Sequence, residues 1–342
     1  MNVTELYSKA ASSYLKESKL LGCSEQTIRN YRKRLLYFGE FLSECDLETT
    51  SLSEAVRLWR DSLLENGLAP STVRQYMVEL KAFFEYATDE ERCGNKYFES
   101  NPVNSKQYPK TKASDSKPYD KVFTAEDIKK LWANRRTLKS GKLWARNYAI
   151  VTLLLDGKIR NSELLDLKLN DVHFSDKDDP FNYLIVRSGK GGKYREVDLN
   201  EISASAIKLY LKSGVRPKKL KNSDYLFGTT AEHKFGGTSS GVEEWHRGSS
   251  SWLSKLVEKH VKDVTGKSGF RTHSMRHNGA IMELNNGTSL EALQSELGHS
   301  SVTTTEIYAG RLLSKRNRMK MQDVFEERDK WAMRNNMLLE GA

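Results

Sequence analysis

Four short stretches of the chain combine residue types that can act on a phosphate group. In chain order they are R-N-S-E at 160–163, G-K-G-G at 189–192, H-S-M-R at 273–276 and L-G-H at 297–299, the last followed by a tyrosine at 308. Arginine presents a planar fork of donors to phosphate oxygens, histidine exchanges protons near neutral pH, and tyrosine can serve as a nucleophile. This set of side chains suits the covalent cleavage of a phosphodiester.

Cleavage of this kind needs a nucleophile, an acid for the departing 5′-oxygen and donors for the charge that develops on the phosphate. The phenol of Tyr308 can form a phosphotyrosine that conserves the bond energy for rejoining. Arg160 and Arg276 can each donate to non-bridging oxygens, a task that suits arginine better than lysine. No D-x-D, D-D-E or H-x-E set stands in a convincing position, and no G-x-x-x-x-G-K-[ST] loop is present, which predicts chemistry without metal or nucleotide cofactors.

Taken singly, each stretch has an ordinary interpretation. An arginine at a helix start usually forms a surface ion pair, and a lysine in a glycine-rich turn is usually solvated. An H-x-x-R pair often shares a helix face for no chemical reason, and a tyrosine on an amphipathic helix most often belongs to a core or an interface. The functional interpretation therefore depends on the four stretches occurring together.

In order and spacing, these stretches resemble the tyrosine recombinases, also called the phage-integrase family. The catalytic domain of that family carries G-x-R-x-S-E, a lysine on a β-hairpin turn, H-x-x-R and an L-G-H segment that leads to the nucleophilic tyrosine. The resemblance covers residues 123–311. One departure is an additional residue between Gly157 and Arg160, which predicts a bulged turn before the arginine. The resemblance implies site-specific DNA recombination through a covalent 3′-phosphotyrosine and a Holliday junction.

The resemblance also implies a role for each residue of the site. Tyr308 is the expected nucleophile, Lys190 the general acid and His273 the general base. Lys193, on the same predicted hairpin, is the rival of Lys190. Glu163 is expected to orient the first arginine. The side chains expected to stabilise the phosphate are Arg160, Arg276 and His299.

Two other functions use the same motifs. A type IB topoisomerase shares the chemistry but acts as a monomer, and it is disfavoured by the L-G-H motif, the short chain and the tail beyond Tyr308. A DNA-binding protein that has lost catalysis is disfavoured because every chemical position holds a competent residue. Within the recombinases, the sequence leaves open whether the chain is an integrase, a resolvase or a transposase of a mobile genetic element.

The positive charge of the chain is concentrated in its second part. The 342 residues carry a formal charge of +10, yet residues 1–112 hold 16 basic and 16 acidic side chains. A concentrated excess suggests a polyanionic partner, most commonly nucleic acid, and the resemblance makes that partner double-stranded DNA with a recombination site. The basic side chains of residues 1–112 could contact phosphate or merely face water, and the sequence supports the two interpretations equally. The candidate DNA contacts are Arg29, Arg32, Lys33, Arg74, Lys81, Lys193 and Arg271.

The composition argues against several other classes of protein. No apolar stretch is long enough to span a membrane, and the N-terminus lacks the apolar segment of a signal peptide. Cys23, Cys45 and Cys93 are odd in number and lack metal-ligand spacing, which predicts free, buried thiols in a reducing compartment. We therefore expect a cytoplasmic protein.

Hydrophobic spacing predicts a mainly α protein with a small antiparallel β-sheet. Helices are expected near 24–42, 53–65 and 70–87 in the first part, and near 143–155, 162–169 and 202–212 in the second. Strands at 182–187 and 193–199 should form a hairpin, whereas residues 228–251 have the composition of a loop. The expected domains are a helical core-binding domain at 1–112 with no room for an arm-binding domain before it, a linker region at 94–122, a catalytic domain at 123–311 and a helical tail at 312–342.

The resemblance extends to assembly. Family members donate a C-terminal tail to a neighbouring protomer in a cyclic tetramer, although a terminal helix packed on its own domain is the simpler interpretation of the tail. The chain is accordingly expected to form a homo-oligomer, with a dimer on each site and a tetramer in the synapse.

Overall fold

The computed structural model describes residues 2–111, 121–133, 143–187, 194–231, 234–235, 238–239 and 244–298, together with residues 323, 327, 328, 330, 331 and 333. The chain divides into two compact units, Met1–Lys117 and Pro118–Ala342. Among the described residues, no helix has the length and apolarity needed to cross a membrane. The architecture is mainly helical with a small antiparallel sheet, which confirms the predicted fold class.

The first unit is a bundle of helices around an aromatic core. Tyr7, Phe38, Trp59 and Phe84 are all buried there, and the rings of Phe38 and Trp59 meet edge to face with centroids 5.0 Å apart. The three helices expected in this part of the chain are confirmed. The helices are α1 (Val3–Leu20), α2 (Glu25–Glu44), α3 (Leu52–Glu65), α4 (Pro70–Ala87) and α5 (Glu90–Cys93).

Local sequence signals set the starts of these helices. The side chain of Ser24 accepts a hydrogen bond from the backbone of Thr27, and Ser51 does the same for Glu54, so each serine caps a free N–H group at a helix start. Helix α4 begins at Pro70, whose fixed φ and missing N–H suit the first helical position.

Part of the predicted linker region packs on the first unit. After α5, Val103 is buried, and a 3₁₀ turn spans Ser105–Gln107. The guanidinium of Arg60 donates to the carbonyl oxygen of Gln107 at 3.0 Å. The chain is therefore ordered against the bundle up to this turn. Residues 112–120 of the predicted linker lie outside the described residues.

The second unit is built around helix α7, which is buried along most of its length. Its residues from Tyr148 to Leu155 are all buried, and α9 and α11 pack against it. The predicted helices of this unit are confirmed, with a short 3₁₀ turn (Leu169–Asp171) after the second of them. The helices are α6 (Ala125–Ala133), α7 (Leu143–Asp156), α8 (Asn161–Asp166), α9 (Glu201–Lys212), α10 (Ser250–Thr265), α11 (Thr272–Asn285) and α12 (Leu290–Leu297).

The predicted hairpin is present as part of a three-stranded antiparallel sheet of order β1-β2-β3. Tyr183 lies opposite Asp198, and Val186 lies opposite Arg195. The turn between these strands, at 188–193, lies outside the described residues. The strands are β1 (Val172–His173), β2 (Tyr183–Val186) and β3 (Arg195–Asp198).

The prediction of a loop at 228–251 is wrong. Strands β4 (Gly228–Ala231) and β7 (Glu244–Arg247) pair antiparallel, and β5 (Lys234–Phe235) pairs with β6 (Thr238–Ser239). Glycine is required at the start of the first strand, because a Cβ atom on Gly228 would lie 2.6 Å from the ring of Trp245. The threonines and the tryptophan favour strands, and this outweighs the flexible glycine and serine residues.

The three cysteines are free and only half-buried in the structure. The prediction of free thiols is confirmed, whereas the expectation that they are buried is wrong, because each retains partial contact with solvent.

Candidate active site

Arg160 stands immediately before helix α8, where its backbone and its side chain bind the same carboxylate. Its backbone N–H donates to Oε2 of Glu163 at 2.7 Å, and its Nη1 donates to Oε1 at 2.8 Å. A glutamate at the third helical position thus caps the helix start and also fixes the guanidinium. Arg160 keeps 25% of its side chain exposed, so it remains open to a ligand.

Arg276 lies one turn into α11 and is buried. Its Nη2 donates to the carbonyl oxygen of Leu297 at 2.7 Å, and its Nη1 donates to the carbonyl oxygen of Lys158. Helix α11 can lie close to α7 because residue 279 is glycine. A Cβ atom on Gly279 would lie 1.9 Å from the carbonyl oxygen of Leu155 on α7. The glycine therefore sets the position of the arginine one turn earlier.

The two arginines meet at the C-terminal end of helix α12. Arg276 binds the carbonyl of Leu297, while Nη2 of Arg160 binds the carbonyl of Gly298 at 3.1 Å. A helix C-terminus carries partial negative charge and leaves carbonyl groups without helical partners, so it attracts guanidinium groups. The structure thereby brings together two predicted site residues that are 116 positions apart in the sequence.

The turn before Arg160 has an unusual backbone conformation at Lys158. Lys158 has a φ of +48°, in the left-handed region that glycine favours. It stands two residues before the arginine, where the glycine of G-x-R would be. The left-handed conformation therefore falls on Lys158, which stands at the position of the motif's glycine, and the additional residue before Arg160 stays a prediction.

The side chain of Lys158 is buried and paired. Its Nζ lies 2.6 Å from Oε1 of Glu296 on α12 and 3.3 Å from Oε1 of Glu283 on α11, and it also donates to the carbonyl of Asp156. These contacts tie the turn to α11, which carries Arg276, and to α12, whose residue Leu297 accepts a hydrogen bond from Arg276. The sequence motifs do not indicate this role for Lys158.

Arg195, on strand β3, is a residue of the site that the sequence analysis missed. Its Nη1 and Nη2 donate to the two oxygens of Glu163 at 2.9 and 2.8 Å. Burial raises the pKa of Glu163, but hydrogen bonds from Arg195 and Arg160 outweigh burial and lower the pKa to about 2. The signal in the sequence was strand alternation: Arg195 shares the inward face of the strand with Val197.

His273 lies in the first turn of α11 and is only partly covered, so part of the residue is exposed to solvent. Partial burial of the ring and the positive charge of Arg276 lower its pKa below the ordinary 6.5. The imidazole is therefore neutral at neutral pH and able to accept a proton. Its ring centroid lies 6.2 Å from that of His277. Arg271, the residue before the helix, is exposed and its Nε lies 3.4 Å from Oε2 of Glu258.

The remaining predicted residues of the site fall outside the part of the chain that the structure describes. These residues are Lys190, Lys193, His299 and Tyr308.

The basic candidates of the first unit lie on two helices. Three of them, Arg29, Arg32 and Lys33, are exposed on α2. On α4, Arg74 is exposed with its guanidinium 5.3 Å from the ring centroid of Tyr108, whereas Lys81 is half-buried and paired with Glu85 at 3.3 Å. The helix α2 group is therefore the more accessible.

The described part of the site suits an anion. Arg160 and Arg195 share the carboxylate of Glu163, Arg276 lies beside them at the end of α12, and the charge of the neighbouring histidine is suppressed at neutral pH. Among the described residues, no group of three or more histidine, cysteine, aspartate or glutamate side chains is placed to hold a metal ion. The arrangement can bind a phosphate group through arginine donors and accept a proton at a neutral imidazole.

Comparison with known proteins follows the same division of the chain. Residues 121–313 match the model of the phage integrase family, and residues 13–91 match that of the phage integrase N-terminal SAM-like domain. Over 311 residues the chain is 32% identical to tyrosine recombinase XerC of Oceanobacillus iheyensis, covering 90% of this chain and 92% of that protein. It is 26% identical to tyrosine recombinase XerD of Listeria monocytogenes, covering 90% of this chain and 93% of that protein.

A solved structure shares the fold. The XerH site-specific recombinase bound to a palindromic substrate superposes with a TM-score of 0.61 at 23% identity, covering 88% of this chain and 80% of that one.

Proposed function

The chain belongs to the phage integrase family, and from this premise we propose how its residues cut and rejoin DNA. The protein is a tyrosine recombinase, an enzyme of site-specific DNA recombination. We assign the reaction to residues 123–311 and initial DNA binding to the helical domain at 1–112, where the exposed basic face of α2 is the proposed phosphate contact.

In the proposed reaction, the Oη atom of Tyr308 attacks a phosphorus of one DNA strand. A bond forms between the phenolic oxygen and the phosphorus, the bond to the 5′-oxygen breaks, and a 3′-phosphotyrosine results. His273 accepts the phenolic proton, and Lys190 donates a proton to the departing 5′-oxygen. Attack by the 5′-hydroxyl of a second strand reverses these steps and joins the strands, which passes through a Holliday junction when two duplexes are paired.

The observation that carries this proposal is the meeting of Arg160 and Arg276 on the adjacent carbonyls of Leu297 and Gly298. Two guanidinium groups so placed can bind the two non-bridging oxygens of one phosphate, where negative charge develops during attack. The next residue in the chain is His299, which we propose as a third donor. Because His273 is neutral at neutral pH, its state suits proton abstraction.

We propose that two protomers bind each recombination site and that four form the synapse, with residues 312–342 joining neighbouring protomers. Within its own chain the tail packs on α6 through two contacts, and these define the surface that we propose for contact between protomers. Trp331 is buried with its ring centroid 5.8 Å from that of Trp132 on α6, and Glu327 lies 3.5 Å from Lys129 on the same helix. Helix α6 thus offers a surface that accepts the tail, and in the assembly we propose that this surface receives the tail of a neighbour.

We place the activity in the cytoplasm, on the nucleoid, because its substrate is DNA.

The test is the capture of the covalent intermediate. Nicked suicide duplexes tiled across the DNA that flanks the gene, inverted repeats included, are incubated with the full chain and resolved on denaturing gels. We expect a protein–DNA adduct that disappears in Tyr308→Phe and persists in the control Tyr183→Phe. Strand exchange between two duplexes is expected, and plasmid relaxation without exchange would instead indicate a topoisomerase. No adduct on any duplex would overturn the proposal.

A further inference from the structure

We propose that Arg195 is a positioning residue of the recombination reaction, which acts on Arg160 through Glu163. This inference rests on the proposed function. Arg195 lies on β3, outside the four motifs, and its side chain is 14% exposed. Three features of its surroundings assign this role: its bonds to the carboxylate, the balance of charge, and its place between two parts of the site.

The first feature is that Glu163 is fully occupied. Each carboxylate oxygen accepts two hydrogen bonds, one from Arg160 and one from Arg195, at distances between 2.7 and 2.9 Å. A carboxylate has about four acceptor positions, so the two arginines fill them all. The side chain of Glu163 is 1% exposed, which leaves little water to replace a lost partner.

Removal of Arg195 would therefore free the carboxylate. With half its acceptor positions empty in a buried site, Glu163 would rotate or take up a proton, since burial favours the neutral form. Either change loosens the hold on Nη1 of Arg160. The guanidinium that binds the phosphate would then lose its fixed orientation, although no group that contacts DNA had been removed.

The second feature is the charge of the cluster. Glu163 neutralises one positive charge, so Arg160 and Glu163 alone would present no net charge to a phosphate. Arg195 restores a net positive charge at the same carboxylate. The substitution Arg195→Lys separates the charge of this residue from its hydrogen-bond geometry, because lysine keeps the charge but lacks the paired donors of arginine.

The third feature is position. Arg195 follows the turn at 188–193, which carries the proposed general acid Lys190, and it lies opposite Val186 in the hairpin. A Cβ atom on Gly298 would lie 3.3 Å from Cδ of Arg195. Arg195 thus links the hairpin, the arginine before α8 and the end of α12, which are the segments that the reaction must align.

The experiment compares Arg195→Met, Arg195→Lys, Glu163→Gln and the double variant Glu163→Gln/Arg195→Met. The matched control is Arg247→Met, because Arg247 pairs with Asp166 of the same helix α8 at 2.5 Å. Affinity for a suicide duplex and the single-turnover rate of adduct formation are measured separately. We expect Arg195→Met to slow adduct formation about 100-fold, as for a misplaced catalytic group, with a smaller loss of affinity. The rate of adduct formation in Arg195→Lys should lie between the rates of Arg195→Met and the wild type. Arg247→Met should react at the wild-type rate.

The double variant distinguishes positioning from general support of the fold. If Arg195 acts through Glu163, the double variant reacts no more slowly than Glu163→Gln alone. The inference would be overturned if the rate losses of the two single variants multiply in the double variant, or if Arg195→Met reacts at the wild-type rate. In either case the wild type would still form its adduct, so the proposed function would stand. An absent wild-type adduct would instead overturn the proposed function and the inference together. If Arg195→Met does not fold, the comparison of Arg195→Lys with Glu163→Gln and their double variant decides in the same way.

Discussion

The guanidinium of Arg276 donates to the backbone carbonyl of Lys158, so one of the two proposed phosphate-binding arginines holds the turn that carries the other. Among the residues that the structure describes, Lys158 is the one non-glycine residue with positive φ. Its buried ammonium group binds carboxylates of α11 and α12, and these ion pairs offset the strain of its backbone. The turn therefore depends on the ion pairs of the Lys158 side chain, whereas a glycine at this position would adopt the left-handed conformation without them.

Substitution of Lys158 separates the effect of its ion pairs from the effect of its backbone strain. Lys158→Ala removes the ammonium group and keeps the strain, whereas Lys158→Gly removes both. Loss of a partner for the two carboxylates, which are 25% and 31% exposed, should cost each variant about 2 kcal/mol, less than for a fully buried pair. Glycine removes the free-energy cost of the left-handed conformation in the folded turn, and this gain exceeds the cost of the greater backbone entropy that glycine has in the unfolded chain. Lys158→Gly should therefore be about 0.5–1 kcal/mol more stable than Lys158→Ala. Urea unfolding measures both differences, and equal stability of the two variants would contradict the account of strain.

Gly279→Ala should displace the helix that carries Arg276. The added methyl group would lie 1.9 Å from the carbonyl of Leu155, a backbone atom that cannot move without shifting α7. We expect a loss of about 2–3 kcal/mol, as for an overpacked core, together with slower adduct formation. The control is Gly39→Ala in α2, whose methyl group would meet only the side chain of Tyr7 at 3.1 Å. Thermal unfolding and the adduct assay compare the two, and a normal adduct rate in Gly279→Ala would contradict this role.

The rate of adduct formation should fall in acid with a midpoint below pH 6.5. Burial and the charge of Arg276 lower the pKa of His273, so the neutral imidazole that the proposed reaction needs persists below the ordinary pKa of histidine. Single-turnover rates between pH 5 and 8 measure the midpoint. His277→Gln, which removes the neighbouring imidazole, should keep the same midpoint, whereas a midpoint above pH 6.5 in the wild type would contradict the assignment.

The sequence motifs predict Arg160, Arg276, His273 and the orienting residue Glu163, but they do not point to Arg195 or Lys158. Arg160, Arg276 and His273 stand in motifs whose spacing is independent of the rest of the fold. Arg195 and Lys158 act through contacts with Glu163, Glu283 and Glu296, which come from other elements. Contacts between distant elements leave no local pattern in one sequence. Strand alternation can place Arg195 on the inward face of β3, but only the structure shows which groups Arg195 and Lys158 contact.

The same reasoning explains the outcome for secondary structure. Helices with apolar residues at helical spacing, such as α2 and α4, and the hairpin of β2 and β3 could be predicted, because each has a regular pattern over several residues. The strands at 228–231 and 244–247 could not, because glycine and serine dominate the composition of the segment while the pairing depends on strand partners 13 or more residues apart. The close contact of Gly228 with Trp245 becomes visible only when those strands are paired.

Glu163 should make the stability of the second unit sensitive to acid. Its pKa is lowered from 4.5 to about 2 in the folded protein, chiefly because hydrogen bonds from Arg195 and Arg160 outweigh the effect of burial. A carboxylate with a lowered folded pKa stabilises the fold fully above its unfolded pKa and loses that contribution as the pH falls from about 4.5 toward 2, by up to about 3 kcal/mol. Glu163→Gln should therefore lower the unfolding midpoint at pH 7 and lose less stability than the wild type between pH 5 and 3. Parallel curves for the two proteins would contradict this.

Loss of the tail should prevent assembly while sparing the binding of single sites. Trp331 is buried against Trp132 of its own chain. If a neighbour's Trp331 takes this place in the assembly, its burial would contribute about 3–5 kcal/mol, enough to control association of protomers. Deletion of residues 318–342 and the substitution Trp331→Ala should both reduce tetrameric complexes on paired duplexes at least 10-fold in native gels. Met333→Ala is the matched control, because Met333 is 63% exposed on the same segment and should assemble normally. A truncated protein that forms tetramers and recombines at the wild-type rate would show that the tail serves its own protomer alone.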